Sequence, residues 1–276
     1  MESIQTLIRL PKSDDGWAPS FDPVAYEQSR VDSFNATPGT LTGYDCPLCK
    51  NKGIVMTLRP PEEGGGLLSI PCRCDTIRRS LRMLEASGMA ESLERCRFSN
   101  FQARERWQQV LLDRAKAYCE DPRGWLVMLG QSGSGKTHLC TAVCYELIMQ
   151  GHAVSYFPWR EESARLKAVL SENRAQQTDV WKEAEILYID DLFKTGRGAD
   201  GSRNPTQADI NLAFEILNYR YCRKLPTILS SEFHIEELLD MDEALAGRIR
   251  EQAGKNLCLI RRDRSRNYRL RDLAEL

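Results

Sequence analysis

The chain has 276 residues, 42% hydrophobic and 28% charged, with a net charge of −1; this allows one large domain, or a medium and a small one, of ordinary globular composition. So small a net charge excludes nucleic-acid binding through the charge of the whole molecule, leaving only local basic patches for that role. No stretch approaches the roughly 18 apolar residues of a membrane span, and the N-terminus lacks a signal-peptide core, so the expected location is cytoplasmic, with no membrane partner.

Residues 1–44 are polar and contain Pro11, Pro19, Pro23 and Pro38. They read as a flexible, partner-binding segment. Residues 45–98 form the next zone. The chain has ten cysteines, and four of them crowd together here, which in a reducing compartment points to metal rather than disulfides. Cys46 and Cys49 make a C-x-x-C pair, and Cys72 and Cys74 a tighter C-x-C pair. Four thiolates suit a closed, structural Zn²⁺ site; four unligated thiols are the alternative, and Cys96 is a spare candidate ligand. Residues 53–58 and 67–70 flank a Pro-Pro-Glu-Glu-Gly-Gly-Gly run and predict a hairpin with a loose tip. A zone this small would draw its stability from the metal. Asp75 is placed to cap a helix with the apolar stripe Ile77, Leu81 and Leu84, ending at Gly88.

Residues 99–276 alternate strand and helix patterns, which predicts an α/β domain with a largely parallel sheet sandwiched by helices. The expected order is a buried strand at 125–129, a helix from Lys136 to about Met149, a strand at 153–157, a charged helix at 161–173 and a short one at 178–184. A second apolar strand follows at 186–189. Thr206 starts a long helix to about Arg223, with a buried stripe of Ile210, Phe214, Leu217 and Tyr221. A strand at 227–229, short helices at 235–239 and 243–252, and a C-terminal strand pair at 257–261 and 268–270 complete the pattern.

Gly130-Gln131-Ser132-Gly133-Ser134-Gly135-Lys136-Thr137 fits G-x-x-x-x-G-K-[ST] at every fixed position. The glycines let successive backbone N–H groups face one anion, and the helix that opens there adds its positive end. Lys136 reaches the β- and γ-phosphates of ATP, and the Thr137 hydroxyl joins the Mg²⁺ shell. The strand at 186–189 ends in Asp190 and Asp191. Beside such a loop, Asp190 is placed to hold Mg²⁺ through water and Asp191 to polarise an attacking water.

With GQSGSGKTHL, ILYIDDLF, KLPTILSSEF, EALAGRIRE and the tail NYRL, residues 45–276 resemble the DnaC/DnaI helicase loaders and the IstB-type transposition ATPases of the AAA+ class. The cysteines followed by SGM and FSNF are similar to a cysteine-bearing, often phage-encoded, subset. The resemblance extends the nucleotide contacts to His138. It implies a polar sensor at Ser230 or Ser231, an arginine finger at Arg248 acting on a neighbouring subunit, and a second sensor at Arg269, with Arg266 and Arg271 as rivals. It further implies an ATP-dependent loader of a replicative DNA helicase onto single-stranded DNA, working as a homo-oligomeric ring or spiral; the alternative is a transposition helper acting on duplex DNA. The relatives' usual Asp-Glu pair is Asp-Asp here, one methylene shorter. Two basic runs are candidates for DNA contact or plain solvated surface: Arg160, Arg165, Lys167 and Arg174, then Lys194, Arg197 and Arg203.

Overall fold

The computed structural model describes residues 22–86, 88–169, 171–194 and 204–270, with backbone alone at 90 and 171–175. The chain divides into two compact units, Met1–Cys72 and Arg73–Leu276.

The first unit holds α1 (Pro23–Ala36) and an antiparallel hairpin of β1 (Ile54–Leu58) and β2 (Leu67–Pro71). Asp22 caps α1 by accepting from the Val24 and Ala25 N–H groups, and Pro23 supplies the preset first φ. The predicted hairpin is present, its tip turned by Gly64, Gly65 and Gly66, all at positive φ. The segment expected to be flexible is, over 23–36, a helix fastened to the hairpin. The Asn35 side chain donates to the Met56 carbonyl (2.8 Å) and accepts from its N–H (3.0 Å), imitating a strand partner. Lys50 donates to the Ala36 carbonyl and Lys52 to that of Thr37, placing two cations at the negative end of α1.

The second unit runs α2 (Cys74–Ala86), α3 (Ala90–Arg95), α4 (Arg106–Glu120), β3 (Trp125–Gly130), α5 (Lys136–Met149), β4 (Val154–Pro158), α6 (Trp159–Ala168), α7 (Ser171–Lys182), β5 (Ile186–Asp190), α8 (Gln207–Cys222), β6 (Thr227–Ser231), α9 (Ile235–Met241), α10 (Glu243–Ala253) and β7 (Leu257–Ile260). Five strands form one parallel sheet in the order β4-β5-β6-β3-β7. Strands β3, β5 and β6 are buried at every position, as strands covered on both faces must be. Alternation splits their side chains. Trp125, Val127, Leu129, Leu187, Ile189 and Leu229 join a core with α8 and α10, while Tyr188 and Asp190 face Cys140 of α5.

Five details differ from the sequence expectations. The units part at 72/73, not at 98, because α2 packs on α5 and β4. Asp75 lies inside the first turn of α2 and pairs with Arg79 (3.0 Å) instead of capping. The charged helix at 161–173 is two helices, broken where Val169 turns to extended backbone. The face of α8 that is buried is Ile210, Ala213, Ile216, Leu217 and Arg220, with Phe214 and Tyr221 only partly covered. Residues 268–270 form a single tight 3-10 turn, not a strand beside β7.

Arg220 is fully buried and donates to the Trp181, Lys182, Ala184 and Pro226 carbonyls and to the Thr227 hydroxyl. Burial pulls its guanidinium down to about 10. Arg220→Ala orphans those carbonyls, and chemical denaturation should record a loss of about 3 kcal/mol or more.

Candidate nucleotide-binding site

The loop between β3 and α5 has its predicted form. Gly130, Gly133 and Gly135 have φ of +139°, +74° and +91°, and each is walled in. A Cβ at Gly135 would sit 2.8 Å from the Phe101 ring; at Gly130 it would strike the Ile260 carbonyl, and at Gly133 the Asn267 amide. Both conformation and space therefore demand glycine. Gly133→Ala should push Asn267 off the loop and weaken nucleotide binding by about tenfold or more in equilibrium titration, with the fold retained.

The tail is stitched to this loop. The Gln131 side chain accepts from the Asp263 N–H and donates to its carbonyl, both at 2.6 Å. The Tyr268 N–H donates to the Gly133 carbonyl at 2.9 Å. Arg269 reaches the Ser132 hydroxyl at 3.4 Å. Ser134 is buried, its hydroxyl donating to the Gln131 carbonyl.

Lys136 is 4% exposed and donates to the carbonyls of Gly130 (2.6 Å) and Gln131 (2.7 Å). Burial pulls its ammonium down, opposed by the charges of Asp191 and Glu232. Thr137 donates to Asp190 at 3.2 Å. Three further hydroxyls hold the same carboxylate: Tyr188 and Ser230 at 2.6 Å and Tyr156 at 3.1 Å. Asp191 follows at φ +55°, its N–H bonded to the Ser230 hydroxyl. Burial, then Asp190, raises its carboxyl above the usual range. Lys194 bridges Asp191 (2.8 Å) and Glu232 (2.9 Å).

A cavity of about 400 Å³ is walled by residues 132–138, Asp191, Lys194 and Glu232, with Arg266 and Arg269 from the tail. His138 lines it too, donating to the Arg97 carbonyl at 2.9 Å and packing edge-on against Phe101. Ser92, Cys96, Asn100 and Gln102 also line it. Cys96 therefore belongs to this cavity and not to the thiol cluster. Ser230 is fully buried with its hydroxyl spent on Asp190, and Ser231 donates to the Leu192 carbonyl. Glu232 is the residue at this strand end that reaches the cavity wall. Of the tail arginines, Arg266 and Arg269 both reach the cavity, and Arg271 lies outside the described residues. Arg248 does not line this cavity, its guanidinium lying over Phe214 and Tyr221.

Tyr156, Tyr188 and Glu232 were not foreseen. Strand alternation places Tyr188 on the face of Asp190, and that was the available signal. The basic runs fare differently. Arg165 is paired with Glu162 (2.8 Å) and Lys167 with the buried Asp209 (2.5 Å), Arg160 is exposed, and Lys194 belongs to the cavity. The Arg174 side chain, Arg197 and Arg203 lie outside the described residues.

The sulfur atoms of Cys46, Cys49, Cys72 and Cys74 lie within 4.8 Å of one another, and all four residues are buried. Cys46 and Cys72 sulfurs are 3.7 Å apart, against an edge of about 3.8 Å for a tetrahedron with 2.3 Å zinc–sulfur bonds. The Gly53 N–H donates to the Cys49 sulfur at 3.3 Å, as to a thiolate. The donor set fits zinc.

The family model described as IstB-like ATP binding protein matches residues 73–253. The phage-like element PBSX protein XkdC of Bacillus subtilis (strain 168) is 33% identical over 228 residues, covering 79% of this chain and 83% of that protein. The replicative helicase loader DnaC of Escherichia coli (strain K12) is 23% identical over 187 residues, covering 65% and 72%. The crystal structure of DnaI superposes with a TM-score of 0.50 at 21% identity, covering 64% of this chain and 92% of that one; it bears on the fold alone, that of an AAA+ P-loop protein.

Proposed function

Because this chain belongs to the family of IstB-like ATP-binding proteins, AAA+ ATPases that include DnaC-like loaders, we propose that it is a cytoplasmic, ATP-dependent loader of a replicative hexameric helicase onto single-stranded DNA. The observation that carries the ATPase part is the convergence of Lys136, Thr137 and Asp191 on one cavity, with Asp190 bonded to Thr137. The loading part is supported by likeness to DnaC. Among the described residues no helix is long and apolar enough to cross a membrane.

Thr137 and Asp190, whose oxygens meet at 3.2 Å, would hold Mg²⁺, an ion that takes oxygen donors. The ion supplies positive charge at the phosphates. Lys136 and the loop N–H groups orient the triphosphate. Asp191 takes a proton from water as its oxygen bonds to the γ-phosphorus. The bond from that phosphorus to the β–γ bridging oxygen breaks, and ADP leaves with the electron pair. Ser230, Tyr156 and Tyr188 fix the Asp190 carboxylate. Arg269, with Arg266 as rival, would touch the nucleotide from the tail, and Arg248 would act on ATP held by a neighbouring copy in a ring or spiral. Cys46, Cys49, Cys72 and Cys74 would hold a structural Zn²⁺, and the unit they staple, with residues 1–44, would hold the helicase.

The test combines this protein, its host's replicative helicase, ATP and circular single-stranded DNA coated with single-strand-binding protein. Unwinding of an annealed oligonucleotide should require this protein and fail with Asp191→Asn. Unwinding indifferent to its addition overturns loading. The family match favours one second reading, a transposition helper; preferential ATP-dependent assembly on duplex DNA would select it.

A further inference from the structure

Lys194 sits in the wall of the nucleotide cavity, where its ammonium touches two carboxylates and no phosphate-binding motif names it. The turn that delivers it is unusual. Asp191 and Phe193 both take left-handed backbone, at φ +55° and +66°, a conformation that costs non-glycine residues free energy. The turn is nonetheless bolted in place. Leu192 and Phe193 are fully buried, the Ser231 hydroxyl donates to the Leu192 carbonyl, and the Lys194 N–H donates to the Asp191 carbonyl. The backbone at Lys194 is therefore fixed. What remains free to move is a flexible four-carbon stem, its side chain 40% exposed.

We propose that Lys194 is a second phosphate-contacting cation on the same chain as the loop lysine, held by Asp191 and Glu232 until a γ-phosphate draws it away. The inference rests on the ATPase reading above. Asp191 and Glu232 face the same cavity as Lys136, and unshielded they would repel a triphosphate. Lys194 offsets part of that negative charge in the absence of nucleotide. Glu232 is itself tied to the loop through Ser132, so the resting position of the lysine is anchored to the phosphate cradle. A γ-phosphate offers the ammonium a denser negative charge than either carboxylate. ADP offers none at that position. Transfer of the lysine also removes the ion pair from Asp191, whose carboxylate is then free to accept a proton from water. Lys194 thus ties recognition of the third phosphate to exposure of the proton acceptor.

Equilibrium titrations with Mg²⁺ and either ADP or a non-hydrolysable ATP analogue test this, read as the ratio of the two affinities, which cancels any loss of folded protein. Lys194→Met should lower the ratio in favour of the ATP analogue by roughly tenfold. Lys194→Arg should keep most of the ratio, and Glu232→Gln should raise it by loosening the resting contact. The double variant carrying Lys194→Met and Glu232→Gln should stay low. An unchanged ratio in Lys194→Met overturns the proposal. So does full restoration in the double variant, since the lysine would then only shield Glu232. A wild-type protein that binds neither nucleotide is a separate result, and it removes the ATPase reading itself.

Discussion

Lys136→Ala is expected to lower affinity for ATP and ADP by about 100-fold or more and to abolish hydrolysis. Two charge-assisted contacts to phosphate oxygens are worth about 1.5–3 kcal/mol each. The residue is 4% exposed, so little water is available to replace the lost ammonium. In this structure the same ammonium holds the Gly130 and Gln131 carbonyls, so the variant also slackens the curl of the loop. The helices and sheet should survive, because Lys136 opens α5 from its first turn while Leu139, Val143 and Leu147 carry the packing. Isothermal titration alongside circular dichroism separates the two effects. Unaltered nucleotide affinity in a folded sample would refute the site.

Cys49→Ser, or removal of metal with a strong chelator at neutral pH, is expected to unfold residues 22–72 and leave the parallel sheet intact. A structural zinc contributes about 10–16 kcal/mol in small metal-stapled peptides. A lone two-stranded hairpin is marginal in water, and the buried apolar content of α1 is Val31. Among the described residues of the first unit, no larger apolar core stands in for a lost metal. Elemental analysis should find one zinc per chain. Limited proteolysis after chelation should cut within the hairpin while the remainder stays resistant. A variant with wild-type proteolysis and no bound zinc would show that the thiols are merely packed together.

What the sequence disclosed and what it withheld divide along physical lines. The loop at 130–137 and the strand at 186–190 were legible because their motifs fix residue type at key positions: glycine where φ is positive, lysine at the opening of the helix, carboxylates at a strand end. The hairpin was legible from its two apolar runs and glycine tip. Asn35 was not, because its role is a long-range imitation of backbone pairing that no local pattern encodes. The break at Val169 was hidden in a continuous charged run that reads as one helix. Arg220 was hidden more deeply, since its partners are carbonyls at the end of α7 and in the turns that precede β5 and β6. Lys194 was read as a DNA contact or a solvated surface charge because its carboxylate partner Glu232 comes from another strand end. Tertiary placement, not composition, assigns such residues.

The strand that carries the phosphate loop pairs on one side with β6 and on the other with β7. Both are encoded well downstream, near the C-terminal end of the sheet. A nascent chain still short of Leu257 therefore has no second neighbour for β3, and Gly130 has no Ile260 carbonyl to lie against. The seat of the phosphate loop is therefore complete only once β7 has paired with β3. Long-range parallel pairing is slow to assemble, so this seat closes late in folding.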